Sequence, residues 1–216
     1  MIYNTVLLEN ELNRCQNIIN FNPDNPQGYI QRGMINFKLA KIHDSLADFD
    51  YAETLNPQIT PYLWQRGLSY YYVNRFAEGA KQFEIDLTVN SHDIEETIWR
   101  FLCIAQYQGF AQAKKSLLVV KNDGRLIMNK VYDLYHGDCP IDEVLITGEK
   151  QGNKGNFYAH LYVGLYYEAM GEKERSLDFI TKGVNNYPIN DYMWYLGYVH
   201  EKLRRELKNY IINHPF

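Results

Sequence analysis

From Thr5 onward the apolar residues recur every three or four positions, not every second one. Over 5–20 they are Val6, Leu8, Leu12, Cys15, Ile18 and Ile19, the stripe of an amphipathic helix. Asn22-Pro23-Asp24-Asn25-Pro26 then stops it, because proline cannot continue a helix. Over 26–59 the stripe returns twice. A first helix carries Tyr29, Gly33 and Phe37, a break falls near 40–43, and a second helix carries Leu46, Phe49, Ala52 and Leu55 before Asn56-Pro57. Over 60–93 the layout repeats, with Leu63, Gly67 and Tyr70 followed by Ala80, Phe83 and Leu87.

The offset between the two copies is 34 residues: Gly33 is matched by Gly67, and Phe49 by Phe83. A stretch over 157–190 repeats it with Gly164, Ile180, Gly183 and Pro188. Self-similarity at this period means stacked helical pairs, each burying its apolar face on the next. The glycine at the eighth position lets the second helix approach without a Cβ in the way. Residues 1–25 read as an N-terminal capping helix or half a unit, and 191–216 as a C-terminal capping helix. Lys202, Arg204, Arg205, Glu206 and Lys208 suit the polar outer face of that cap.

Between 94 and 156 the register is lost. Degenerate hairpins are expected from helices over 94–107, 111–120, 125–135 and 141–146, with Gly109 between the first two and Phe101 where glycine would fall. The Gly-, Lys- and Asn-rich run 147–156 reads as an exposed flexible loop, open to nicking. The expected fold is all-α: a right-handed superhelical stack of about twelve helices.

Tyr29-Ile30-Gln31-Arg32-Gly33, Leu63-Trp64-Gln65-Arg66-Gly67 and Ala52-Glu53-Thr54-Leu55-Asn56-Pro57 resemble tetratricopeptide repeats. So does Gly164-Leu165-Tyr166-Tyr167-Glu168-Ala169-Met170-Gly171-Glu172. The three units cover roughly half of the chain, and such repeats speak for fold far more than for function. The order of elements is similar to the NlpI-type repeat proteins, a bacterial outer-membrane lipoprotein group. Its members dimerise and present substrates to partner enzymes of the cell envelope. With no lipobox or leader visible, only the architecture and a generic adaptor role carry over.

On a first helix, repeat positions two, five, nine and twelve share one face. In stacked repeats that face lines the concave side. The candidate partner-binding groove is therefore Gln27, Ile30, Met34 and Phe37, then Trp64, Leu68 and Tyr71 after Pro61, and Tyr158, Leu161, Leu165 and Glu168. It is apolar and aromatic, as a groove for an apolar helix or extended segment needs. Relatives that clamp a terminal carboxylate need Lys where Ile30 stands and Asn where Met34 stands, so that mode is excluded. Trp64 is the sharpest candidate, as an aromatic anchor; the competing reading packs it against a neighbouring helix.

Charge and composition narrow the rest. The chain has 216 residues, a net charge of −4 and nineteen Tyr. A clustered basic surface for nucleic acid is not expected. Cys15, Cys103 and Cys139 form no CxxC pair, and a reducing, cytoplasmic setting is expected. No stretch reaches the roughly 18 apolar residues of a membrane span. His200-Glu201 opens like a zinc helix, but Arg204 stands where the second His belongs. Asp48 with Asp50, and Glu95 with Glu96, read as solvated charge, and Ser116 and Ser176 lack a nucleophile motif. Gly148 to Gly155 is no phosphate loop. Arg32 and Arg66 share one repeat position and read as packed struts. No cofactor, metal or catalytic residue is expected. The resulting expectation is a non-catalytic adaptor for a protein or peptide segment. The rivals are a homodimer whose groove is filled by its own twin and, behind it, an enzyme with a site in 94–156.

Overall fold

The computed structural model describes residues 5–120 and 123–214, the Ile211 side chain excepted. They fall into two compact units, one up to residue 120 and one from 123. The division lies inside the region expected to be degenerate. Among the described residues there are twelve α-helices, one 3-10 helix and no strand.

The first unit holds α1 (Thr5–Phe21), α2 (Pro26–Lys38), α3 (Ile42–Leu55), a 3-10 segment (Pro57–Tyr62), α4 (Trp64–Tyr72), α5 (Phe76–Asp86), α6 (Ile94–Gln108) and α7 (Phe110–Lys115). The second holds α8 (Leu126–His136), α9 (Ile141–Lys150), α10 (Gly152–Ala169), α11 (Lys173–Asn186) and α12 (Tyr192–Asn213). Helix starts follow local chemistry. Asn25 accepts a hydrogen bond from the Gln27 amide ahead of Pro26, and Asn56 accepts one from Gln58 ahead of Pro57. Asp93 and Asp191 cap α6 and α12 in the same way. The turn inside three of the repeats is also shared. Ala40 (φ 60), Asn74 (φ 61) and Gly171 (φ 83) hold one repeat position and all are left-handed.

The glycine expectation holds in each clear repeat. A Cβ on Gly33 would sit 3.2 Å from Phe49 Cζ and from the Ser45 carbonyl oxygen. On Gly67 it would sit 2.6 Å from Phe83 Cζ, and on Gly164 2.5 Å from Ile180 Cγ1. Phe49, Phe83 and Ile180 are fully buried, so each glycine admits the apolar residue sixteen positions later.

Two expectations are corrected. The 147–156 stretch is not a loop: α9 and α10 run through it, broken only around Gln151. A Cβ on Gly148 would lie 2.8 Å from the Gly155 carbonyl oxygen, and one on Gly155 would lie 2.5 Å from the Gly148 carbonyl oxygen. These glycines let two helices meet backbone to backbone. The helix expected over 111–120 ends at Lys115. There the Ser116 hydroxyl turns back to the Gln112 and Ala113 carbonyls, and Arg100 takes the Ser116 carbonyl at 2.7 Å.

Candidate protein-binding surface

The repeated arginines are internal struts. Arg32 donates to Asp48 on α3 at 2.5–3.0 Å and to Gln16 on α1 at 2.5 Å. Arg66 donates to Gln82 on α5 at 2.8 Å and to Asp50 and Glu53 on α3. Arg100, unnoticed in the sequence, donates to Glu84 on α5 at 3.1 Å and to the Ser116 carbonyl. Each reaches sixteen residues back and sixteen forward. The 34-residue register therefore survives through α6, although Phe101 replaces the glycine. Because Gln16 serves as Asp50 and Glu84 do, α1 is the second helix of a repeat. Hydrogen bonds from Arg66 hold the Glu53 carboxyl below its usual range.

The same unit buries two carboxyls less comfortably. Asp86 is almost wholly buried and Glu96 nearly so, with Asp86 Oδ2 and Glu96 Oε2 each lacking a hydrogen-bond partner. Gln82 donates to Asp86 Oδ1 at 2.6 Å. Burial pushes Asp86 up to about 7. Burial and then the charge of Asp93 push Glu96 to about 8. Glu96 and Asp48, expected on solvated faces, are both core residues; helix packing overrides the local pattern.

The second unit has Val163 at the arginine position and a different ionic core. Glu168 lies buried between α10 and α12, with His200 Nε2 at 2.6 Å and Arg204 Nη2 at 2.5 Å. Burial alone would raise the Glu168 carboxyl, but His200 and Arg204 overcome this and hold it far below its ordinary 4.5. Sequence reasoning placed Glu168 in the groove and Arg204 on an outer face. Both are corrected: the residues are 36 positions apart, and no local motif links them.

The groove candidates divide sharply. Phe37, Leu68, Tyr71, Tyr158, Leu161, Leu165 and Glu168 are buried in the core, and of these only Tyr158 also lines one of the hollows described below. Tyr71, for instance, stands edge-on to Trp99 and Phe76. The positional rule fails because these side chains are long and the neighbouring helices close. Gln27 is exposed, and Ile30, Met34, Pro61 and Trp64 are half-buried. All five lie in the first unit. Gln65 donates weakly to Met34 Sδ at 3.8 Å, and Ile30 packs on the Ile19, Tyr29 and Ala52 cluster.

Two hollows flank these residues or their counterparts. One of about 310 Å³ lies between α1 and α2, walled by Glu11, Arg14, Cys15 and Ile18 on one side and Gln31, Met34, Ile35 and Lys38 on the other. Another of about 410 Å³, in the second unit, is lined by Arg125, Leu126, Gln151, Lys154 and Tyr158 among others. Among the described residues, no three His, Cys, Asp or Glu gather to hold a metal ion, and no helix is long and apolar enough to cross a membrane.

A crystal structure of a tetratricopeptide repeat protein from Parabacteroides merdae is similar to this chain over 92% of its length and 78% of the other's, with a TM-score of 0.55 and 16% identity. The fold is a tetratricopeptide repeat fold. Neither a family model nor a curated protein sequence matches the chain. The likeness carries the helical repeat stack and nothing of the neighbour's function. The narrower NlpI-type layout stays an expectation.

Proposed function

We propose that the chain is a non-catalytic adaptor that holds an apolar segment of another protein against Ile30, Met34 and Trp64. One observation carries this reading. Ile30 and Trp64 occupy the same repeat position, 34 residues apart, and both stay half-open while the apolar positions beside them close. Repetition sets two equivalent apolar contacts on successive first helices, the arrangement that suits a helix or extended segment laid across them. The tetratricopeptide repeat fold supports a protein partner, and the net charge of −4 speaks against a polyanion. The three thiols are unpaired and buried, in keeping with a reducing, cytoplasmic setting.

Affinity capture with wild-type chain, Trp64→Ala and Leu126→Asp tests the reading. The last changes an exposed residue of the second unit. Trp64→Ala is expected to weaken the captured partner by ~30-fold, the size of a truncated aromatic anchor, with wild-type helicity, while Leu126→Asp changes nothing. Equal capture by all three overturns the reading. Unfolding of Trp64→Ala assigns Trp64 to the core and overturns its anchoring role.

A further inference from the structure

The hollow between α1 and α2 has a place in the repeat. Subtracting 34 maps Ser45, Asp48, Phe49 and Ala52 of α3 onto Glu11, Arg14, Cys15 and Ile18 of α1. In the complete repeat, Ser45, Asp48 and Phe49 are what a Cβ on Gly33 of the first helix would meet at 3.2–3.3 Å. The same subtraction maps Gln65, Leu68, Ser69 and Tyr72 of α4 onto Gln31, Met34, Ile35 and Lys38 of α2. Of these, Gln65 reaches Met34, Ser69 bonds Ser45 at 3.0 Å, and Tyr72 stacks edge-on to Phe37. Both walls are thus surfaces that elsewhere close on a helix. The hollow is the seat of a repeat's first helix.

The charges of the seat say which helix fits. At the wall position where Asp48 and Gln82 accept an arginine, α1 shows Arg14. A first helix of the first unit's pattern carries an arginine there, as at Arg32 and Arg66, and would clash with it, while an apolar residue there, as at Val163, would leave Arg14 without a counter-charge. An occupant needs a carboxylate there, framed by apolar residues. Leu7, Glu11, Arg14 and Ile18 fulfil this themselves. Their spacings of four, three and four put them on one face of α1. Leu7 and Ile18 are 50% and 47% exposed. Read antiparallel against itself, the series is self-complementary: Leu7 meets Ile18, Glu11 meets Arg14, and the reverse on the other side of a twofold axis.

We propose that the seat takes α1 of a second copy of this chain, the two α1 helices lying antiparallel in an isologous dimer. The interface meets the strip at Ile30, Met34 and Trp64 only at Met34, which lines the seat as well. Each Glu11 pairs with the partner copy's Arg14, and each Ile18 covers the partner copy's Leu7. Phe21, at 96% exposure, extends the apolar face beyond Ile18.

Light scattering on the 216-residue chain and its variants tests this. The wild-type chain is expected to be a dimer. Glu11→Arg puts two like-charge pairs into the interface, as does Arg14→Glu, and each is expected to weaken the dimer by ~100-fold. Mixing the two variants restores opposite charges at both pairs and is expected to restore the dimer. Ile18→Asp abolishes it with helicity unchanged. Trp64→Ala leaves it intact, so failure here and failure of the partner-binding reading are told apart. A wild-type monomer overturns the proposal, whether an upstream segment or a different protein fills the seat. So does a dimer indifferent to both charge reversals, or a mixture that does not recover.

Discussion

The two units solve one problem in opposite ways. Each must bury charge where helices cross. The first distributes it along a ladder, with Arg32, Arg66 and Arg100 each tied to two neighbouring helices. It leaves Asp86 and Glu96 buried with one oxygen unmatched on each. The second drops the arginine for Val163 and gathers its charge at one point, Glu168 with His200 and Arg204. A buried carboxylate costs several kcal/mol unless opposite charge and hydrogen bonds meet it. Glu168 has both and stays ionised. Asp86 and Glu96 have too little of either and bind protons more tightly than usual.

The sharpest way to break this contrast is Glu168→Ala. It strands His200 in the core and leaves the half-buried Arg204 without its carboxylate, and is expected to cost ~3–5 kcal/mol, read by hydrogen exchange in α10–α12. A loss under ~1 kcal/mol would mean that the cluster does not hold the second unit together.

The pH response comes next, with opposite signs. Asp86 and Glu96 bind protons more tightly folded than unfolded. The first unit therefore gains stability as pH falls from about 8 towards their ordinary values of 3.8 and 4.5, and loses it as pH rises. The swing is on the order of a few kcal/mol. Asp86→Asn with Glu96→Gln flattens it. Glu168 binds its proton less tightly when folded. Its contribution is complete above its ordinary 4.5 and lost as pH falls below that value. Exchange in α5–α6 and in α10–α12, followed from pH 8 to 3, separates the two. Parallel curves would erase the contrast.

Close approach is common to both units, so Gly67→Leu and Gly164→Leu are expected to cost about the same, ~1–3 kcal/mol or more, by chemical denaturation. The smallest effect lies at the shared turn. Ala40→Gly relieves a left-handed alanine and stabilises by ~0.5–1 kcal/mol, while Gly171→Ala costs a similar amount. Equal melting temperatures for wild type and both variants would remove the turn from the account.

The repeat was legible because its marks are local and periodic: Gly33, Gly67 and Gly164, each with its apolar partner sixteen residues on. Asn25-Pro26 and Asn56-Pro57 marked helix starts for the same reason. Arg32 and Arg66 were read as struts and are struts. Arg100 was missed because Phe101 hid the register beside it. Composition misled at Gly148 and Gly155, where glycine serves a helix crossing and not a loop. The groove was not legible as a surface. Helical spacing groups Leu68 and Leu165 with the groove positions, while only the packed neighbours, which bury both, fix whether a ligand can touch them. Glu168, His200 and Arg204 meet through tertiary packing alone.

The arginine ladder has a corollary for how such a chain can grow. Each guanidinium looks backward and forward by the same count. A duplicate of 60–93 spliced in after residue 93 would bring its own Arg, find Glu84 waiting behind it, and offer its own Glu84 to Arg100. Length can change by whole modules with every joint intact, whereas a one-residue slip inside a module misaligns the joints on both sides of it.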